Sequence, residues 1–132
     1  MGTKASGAFE VKSWNEETYE EIDGGAKLTR VSVTQSFSGD FAGEGTVEYL
    51  MIHRSDGNAN FVGLQRLIGR IGDRSGSVVL ETNGTFDGST AKSTWSVVPG
   101  SGTGDLRGLR GEGGFIAEHG PNGSFTLDYD FE

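Results

Sequence analysis

Two glutamates stand where a carboxylate is costly. Glu10 lies between Phe9 and Val11, and Glu48 lies within Val47-Glu48-Tyr49-Leu50-Met51. An unpaired carboxylate among apolar side chains is destabilised, and its proton affinity rises. That is how a Glu becomes a general acid or base near neutral pH, so both are candidate catalytic groups. Each also has a plainer reading. Glu10 can face outward and pair with Lys12, and Glu48 can form a structural ion pair with Arg66 or Arg54 across the Asp56-Gly57 turn. Tyr49, Gln65, Trp95, Gln35 and Glu81 are candidate ligand-binding groups, because a polar tip inside an apolar strand can orient a carbonyl or hydroxyl. The Gln side chains can equally satisfy a neighbour, and Trp95 can be simple core.

Other chemistries lack their residues. There is no Cys, which removes disulfides, thiolate nucleophiles and Cys-based zinc sites together. His53 and His119 fall near strand ends, and neither belongs to a His-x-His or His-Glu-x-x-His pattern, so no metal and no cofactor are expected. No Gly-x-Ser-x-Gly elbow marks a serine hydrolase. The glycine-dense run over residues 97–115 invites comparison with phosphate-binding loops. It has no Lys-Ser or Lys-Thr after its last Gly, and counting from Gly102 and Gly104 the third fingerprint glycine is replaced by Arg107. It reads instead as a corner joining two strands of a curved sheet.

A chain of 132 residues has the size of one domain, taken as residues 1–132 with 1–6 as a flexible N-terminal tail. Hydrophobic residues make up only 33%, and the 23 glycines account for the deficit. A net charge of −8 disfavours nucleic acid and anionic membrane surfaces as partners. No window is apolar enough for a membrane helix, and the N-terminal residues lack the apolar run of a signal peptide; with the absence of Cys this suggests a cytoplasmic protein.

The periodicity is that of strands. Residues 29–37 alternate with Val31, Val33, Gln35 and Phe37 on one face, and residues 124–131 alternate with Phe125, Leu127, Tyr129 and Phe131 on one face. Further strands are expected over residues 7–14, 45–54, 60–71, 77–86, 91–98 and 113–119, with turns at Ser38-Gly39-Asp40, Asp56-Gly57-Asn58, residues 72–76, Asp87-Gly88 and residues 120–123. The acidic stretch 15–23 reads as a short helix capped by Asn15 or as a solvated loop. About eight evenly spaced strands predict an all-β antiparallel barrel or sandwich. Strands 45–54 and 60–71 are apolar on both faces, so a homo-oligomer is expected to cover the second face. Which face turns inward is open, since a shift of one residue reverses it.

Gly102-Thr103-Gly104, the Leu/Arg link and Arg110-Gly111-Glu112-Gly113 resemble the signature of the allene oxide cyclase-like and dirigent-like β-barrels. With residues 9–14, 46–51, Trp95 and 124–131, the chain is more closely similar to a bacterial family of uncharacterised proteins in that superfamily, DUF3224. The resemblance implies a single closed antiparallel barrel of about eight strands. It also places Glu10 like the acidic residue those families carry inside the barrel, although the cyclases' accompanying Asn is Lys12 here. It implies a protein that binds a small apolar molecule and acts as a cofactor-free isomerase or cyclase. The alternatives are a non-catalytic carrier or sensor of an apolar ligand, and an oligomeric structural protein with a filled barrel.

Overall fold

The computed structural model describes residues 2–118 and 122–132. Eight strands run in chain order: β1 (Thr3–Ile22), β2 (Ala26–Gly39), β3 (Phe41–His53), β4 (Ala59–Ile71), β5 (Arg74–Phe86), β6 (Thr90–Val97), β7 (Leu109–Glu118) and β8 (Asn122–Phe131). Each pairs antiparallel with the next, and β8 pairs with β1, so the sheet closes into a barrel with the all-β architecture expected. Closure removes the unpaired edges that make open sheets prone to aggregate. No helix of the chain is long and apolar enough to cross a membrane, among the described residues.

The alternation of the strands sorts side chains into an interior and an outer face. Val31, Val33, Gln35 and Phe37 of β2 point inward, as do Val47, Tyr49 and Met51 of β3 and Phe61, Gln65 and Leu67 of β4. Leu50, Val62, Leu64 and Ile68 point outward and stay exposed, so the two-faced apolar pattern of β3 and β4 reflects one core face and one surface face.

The first strand departs from expectation twice. Thr3 to Ser6, expected as a tail, begin β1 opposite Tyr129 to Thr126 of β8, and Ala5 is buried. Residues 15–22, expected as helix or loop, extend β1 against β2, with Asn15 opposite Ser32 and Ile22 opposite Ala26. Gly24 and Gly25, both at φ +97°, make the turn that returns the chain. The extension is exposed on both faces, so it carries no period-two hydrophobic signal.

The two ends of the barrel are built differently. At one end the β6–β7 connection folds back over the opening. Val98 N donates to Val79 O at 2.9 Å and Thr103 N to Ser77 O at 2.8 Å, so the connection lies along β5 as a strap. A single 3-10 turn, Gly104–Leu106, then drops Leu106 into the barrel, where it is 1% exposed. The strap passes so close to β5 that a Cβ on Gly76 would stand 2.0 Å from Thr103 O. Below it Phe37 packs against Phe41, Phe125 and Trp95 at centroid distances of 5.7, 5.6 and 6.3 Å. This end is packed solid. The glycine run is thus a strand-to-strand corner, as the sequence suggested, and its apolar residue serves as a plug. The opposite end carries the β1–β2, β3–β4 and β5–β6 turns, and among the described residues none plugs it. His119 and the turn expected at residues 120 and 121 lie outside the described residues.

Candidate functional site

The open half of the barrel encloses a cavity of about 390 Å³. That volume is within the range of small-molecule sites, which are mostly apolar with a few placed polar groups. The walls are largely aromatic. Phe9, Phe61, Phe86 and Phe115 line it, with Tyr49 edge-on to Phe61 at 4.9 Å and Phe9 edge-on to Phe115 at 5.4 Å. Ala91 and Ala117, paired across β6 and β7, leave the room that larger residues would fill.

The polar groups come from three strands. Gln35 on β2 lies at the inner part of the cavity wall. Its amide oxygen accepts a hydrogen bond from Gln65 Nε2, and its own amide nitrogen has no partner among the described residues. Gln65 is fully buried outside the cavity, and its Oε1 has no partner. Tyr49 on β3 is 5% exposed, and burial raises its phenol well above the usual range, with Thr82 nearby acting in the opposite sense. It is therefore a neutral hydrogen-bonding group.

At the mouth, Glu16 and His53 form a pair. His53 Nε2 meets Glu16 Oε2 at 2.6 Å, and Trp14 Nε1 donates to Glu16 Oε1 at 3.1 Å. Burial pushes the Glu16 carboxyl up, yet the His53 and Trp14 hydrogen bonds, with the Thr29 hydroxyl near, outweigh it and hold the group below the ordinary Glu range. The carboxyl is ionised at neutral pH. Thr29 itself is fully buried, and its hydroxyl makes no hydrogen bond of good geometry. The second ring nitrogen of His53 has no partner among the described residues, so Glu16 fixes one nitrogen and leaves the other available.

The structure divides the residues singled out from sequence. Gln35, Gln65, Tyr49 and Trp95 are interior, and of these Gln35 and Tyr49 line the cavity. Trp95 belongs to the packed end, 3% exposed, with its Nε1 unpartnered. Glu10, Glu48 and Glu81 are corrections: all three face out. Glu10 is exposed and bonds Lys12 at 2.5 Å, the plainer reading of that residue. Glu48 and Glu81 are exposed on the outer face, flanking Leu64 in the register of β3, β4 and β5, and among the described residues neither forms an ion pair, with Arg66 or Arg54 or otherwise. The reason is period-two geometry: a residue between two inward neighbours points outward.

The carboxylate that reaches the cavity is Glu16, and a bulge explains it. The register of β1 on β2 shifts between Val11 and Ser13. Before the shift the inward residues are Ala5, Phe9 and Val11; after it they are Trp14 and Glu16. One extra residue inverts the phase of the strand. A signal was present in the Gly24-Gly25 turn. Folding residues 14–22 back on the clean alternation of β2 sets Trp14 opposite Val33 and Glu16 opposite Val31, both core residues.

Among the described residues, no cluster of three or more His, Asp or Glu could hold a metal ion. No curated protein matches the chain. A crystal structure of a protein of unknown function from the DUF3224 family of Shewanella oneidensis MR-1 superposes with a TM-score of 0.86 at 30% identity, covering 100% of this chain and 98% of that one. The family model described as "Protein of unknown function (DUF3224)" matches residues 5–129, which takes in the whole barrel from the buried Ala5 to Tyr129, and the chain belongs to that family.

Proposed function

We propose that this protein binds a small, largely apolar molecule in the open half of its barrel. The observation that carries the reading is the aromatic-walled cavity of about 390 Å³, set against an opposite end in which the same barrel is packed and plugged. A barrel meant only as a scaffold would be filled throughout, because an apolar void forfeits contacts on every wall. The likeness to allene oxide cyclase-like barrels is part of the same proposal. Its support is the closed eight-stranded sheet together with Gly102-Thr103-Gly104 leading into a short 3-10 turn.

Titration with the neutral fluorophore N-phenyl-1-naphthylamine tests the reading. Wild-type protein binds it saturably at one site per chain, and Ala117→Trp, which fills the cavity, loses the binding while keeping the fold. Equal binding by both proteins contradicts the site.

A second reading, cofactor-free proton transfer, is favoured by one observation: Glu16 and His53 stand hydrogen-bonded at the cavity with one imidazole nitrogen free. The dyad would replace Glu10 and Glu48 as the candidate catalytic group.

The expected homo-oligomer also stands as a proposal. Leu50, Val62 and Leu64 form an exposed apolar strip on β3 and β4, bordered by Arg30, Arg66, Glu48 and Glu81. A rim carrying both signs is complementary to itself, so the occupant proposed is a second copy of this chain.

A further inference from the structure

The cavity's polar groups are arranged to favour one sign of charge. Among the described residues that line it there is no Lys or Arg, and Glu16 is the carboxylate present. Both oxygens of Glu16 are already engaged, one by Trp14 and one by His53, but a carboxylate has about four lone-pair positions and so can accept further donors. Trp14 is 49% exposed and lines the cavity, and its N–H bond sets the Glu16 carboxylate at the edge of the indole ring. An ammonium on that carboxylate can reach over the adjoining ring, and a carboxylate beside an aromatic ring is the pair of features that holds an ammonium.

The surroundings act in the same direction. Glu17, Glu20 and Glu21 continue along β1 past the mouth, and Asp23 follows in the turn. Against them Lys27 stands on β2, opposite Glu21 on one side and His53 on the other, exposed and outside the cavity wall. Arg54, at the β3–β4 turn, is tied to Asp56. Among the described residues the acidic groups at the mouth outnumber the basic ones, in a chain of net charge −8. A ligand with a carboxylate head would meet Glu16 at close range in a partly dry site.

We infer that the ligand is a small apolar molecule bearing a protonated amine, seated with its body among Phe9, Phe61 and Phe115 and its ammonium against Glu16 and the ring of Trp14. The inference rests on the cavity being a ligand site, and it adds the class of ligand that the site selects.

Calorimetric titration with three ligands of one body tests it: 1-naphthylmethylamine, 1-naphthalenemethanol and 1-naphthaleneacetic acid, each against wild type, Glu16→Gln and Glu10→Gln. In wild type the amine binds tighter than the acid by about tenfold or more, with the alcohol between them. Glu16→Gln collapses the amine–acid gap. Glu10→Gln, which removes the same charge from the outer face, keeps the gap. Added salt weakens the amine in wild type and leaves the alcohol alone, a reading that needs no variant. An acid that binds wild type as well as the amine overturns the inference, and so does a gap that falls equally in both variants. If the alcohol also fails to bind wild type, the cavity is not a ligand site, and the broader reading falls first.

Discussion

The two ends of this barrel use one sheet in opposite ways, and the two tryptophans mark the difference. Trp95, at the plugged end, is 3% exposed and sits among Phe37, Phe115 and Phe125, at centroid distances of 6.3, 5.9 and 5.9 Å. Its indole nitrogen has no partner, which costs about 1–3 kcal/mol and is tolerated for the packing around it. Trp14, at the open end, is half exposed, and its indole nitrogen is spent on orienting Glu16. One tryptophan contributes by filling space; the other borders space that is left unfilled. Close packing is concentrated at the strap and plug, and the far end keeps a cavity.

Trp95→Ala puts that division to its most severe test. It should cost about 3–5 kcal/mol in chemical denaturation, whereas Phe86→Ala on the cavity wall, where the ring is only part-buried, should cost about 1–2 kcal/mol. Similar losses at both positions would show that the two ends are packed alike. Ala117→Trp follows. A side chain that enters existing space should change stability by less than about 1 kcal/mol, whereas overpacking a filled core costs about 1–3 kcal/mol. Thermal and denaturant midpoints separate the two results.

The outer surface should respond to neither change. Leu64→Glu, at a residue 57% exposed, should leave the stability of an isolated subunit within about 0.5 kcal/mol while lowering the mass seen by size-exclusion light scattering to that of one chain. An unchanged mass would remove β3 and β4 as the contact between copies.

The smallest expected effect is on pH dependence. The folded protein holds the Glu16 carboxyl below its unfolded value, so its contribution is complete above the unfolded value and is lost as pH falls through the folded one. Glu16→Gln should therefore flatten the acid limb of the stability profile below about pH 4.5, and Glu10→Gln, outside the cavity, serves as the comparison. A steeper acid limb in Glu16→Gln would reverse the sign of the argument.

Much of the fold could be read from the chain. β2 and β8 announce themselves through alternation, Asp56-Gly57 and Asp87-Gly88 mark hairpins, and the glycine run behaves as a corner because Gly76 and Gly102 allow backbone contacts that a Cβ would block. The site was harder for two physical reasons. The extension of β1 is solvated on both faces, so nothing in its composition distinguishes it from a loop or a short helix. A bulge near Lys12 then inverts the strand's phase, and no residue type announces a bulge. Glu10 could have been set aside from sequence, since Phe9 and Val11 on either side claim the inward face. Glu16 could be reached only by pairing β1 against β2.

The indole N–H signals of Trp14 and Trp95 report the two ends separately, and so test whether the proposed ligand enters the open end alone. A 1H–15N titration of labelled protein with 1-naphthalenemethanol is the direct test. The Trp14 signal should move progressively and saturate while the Trp95 signal stays in place. A Trp95 signal that moves as far as that of Trp14, or two signals that never move, would contradict entry at the open end alone.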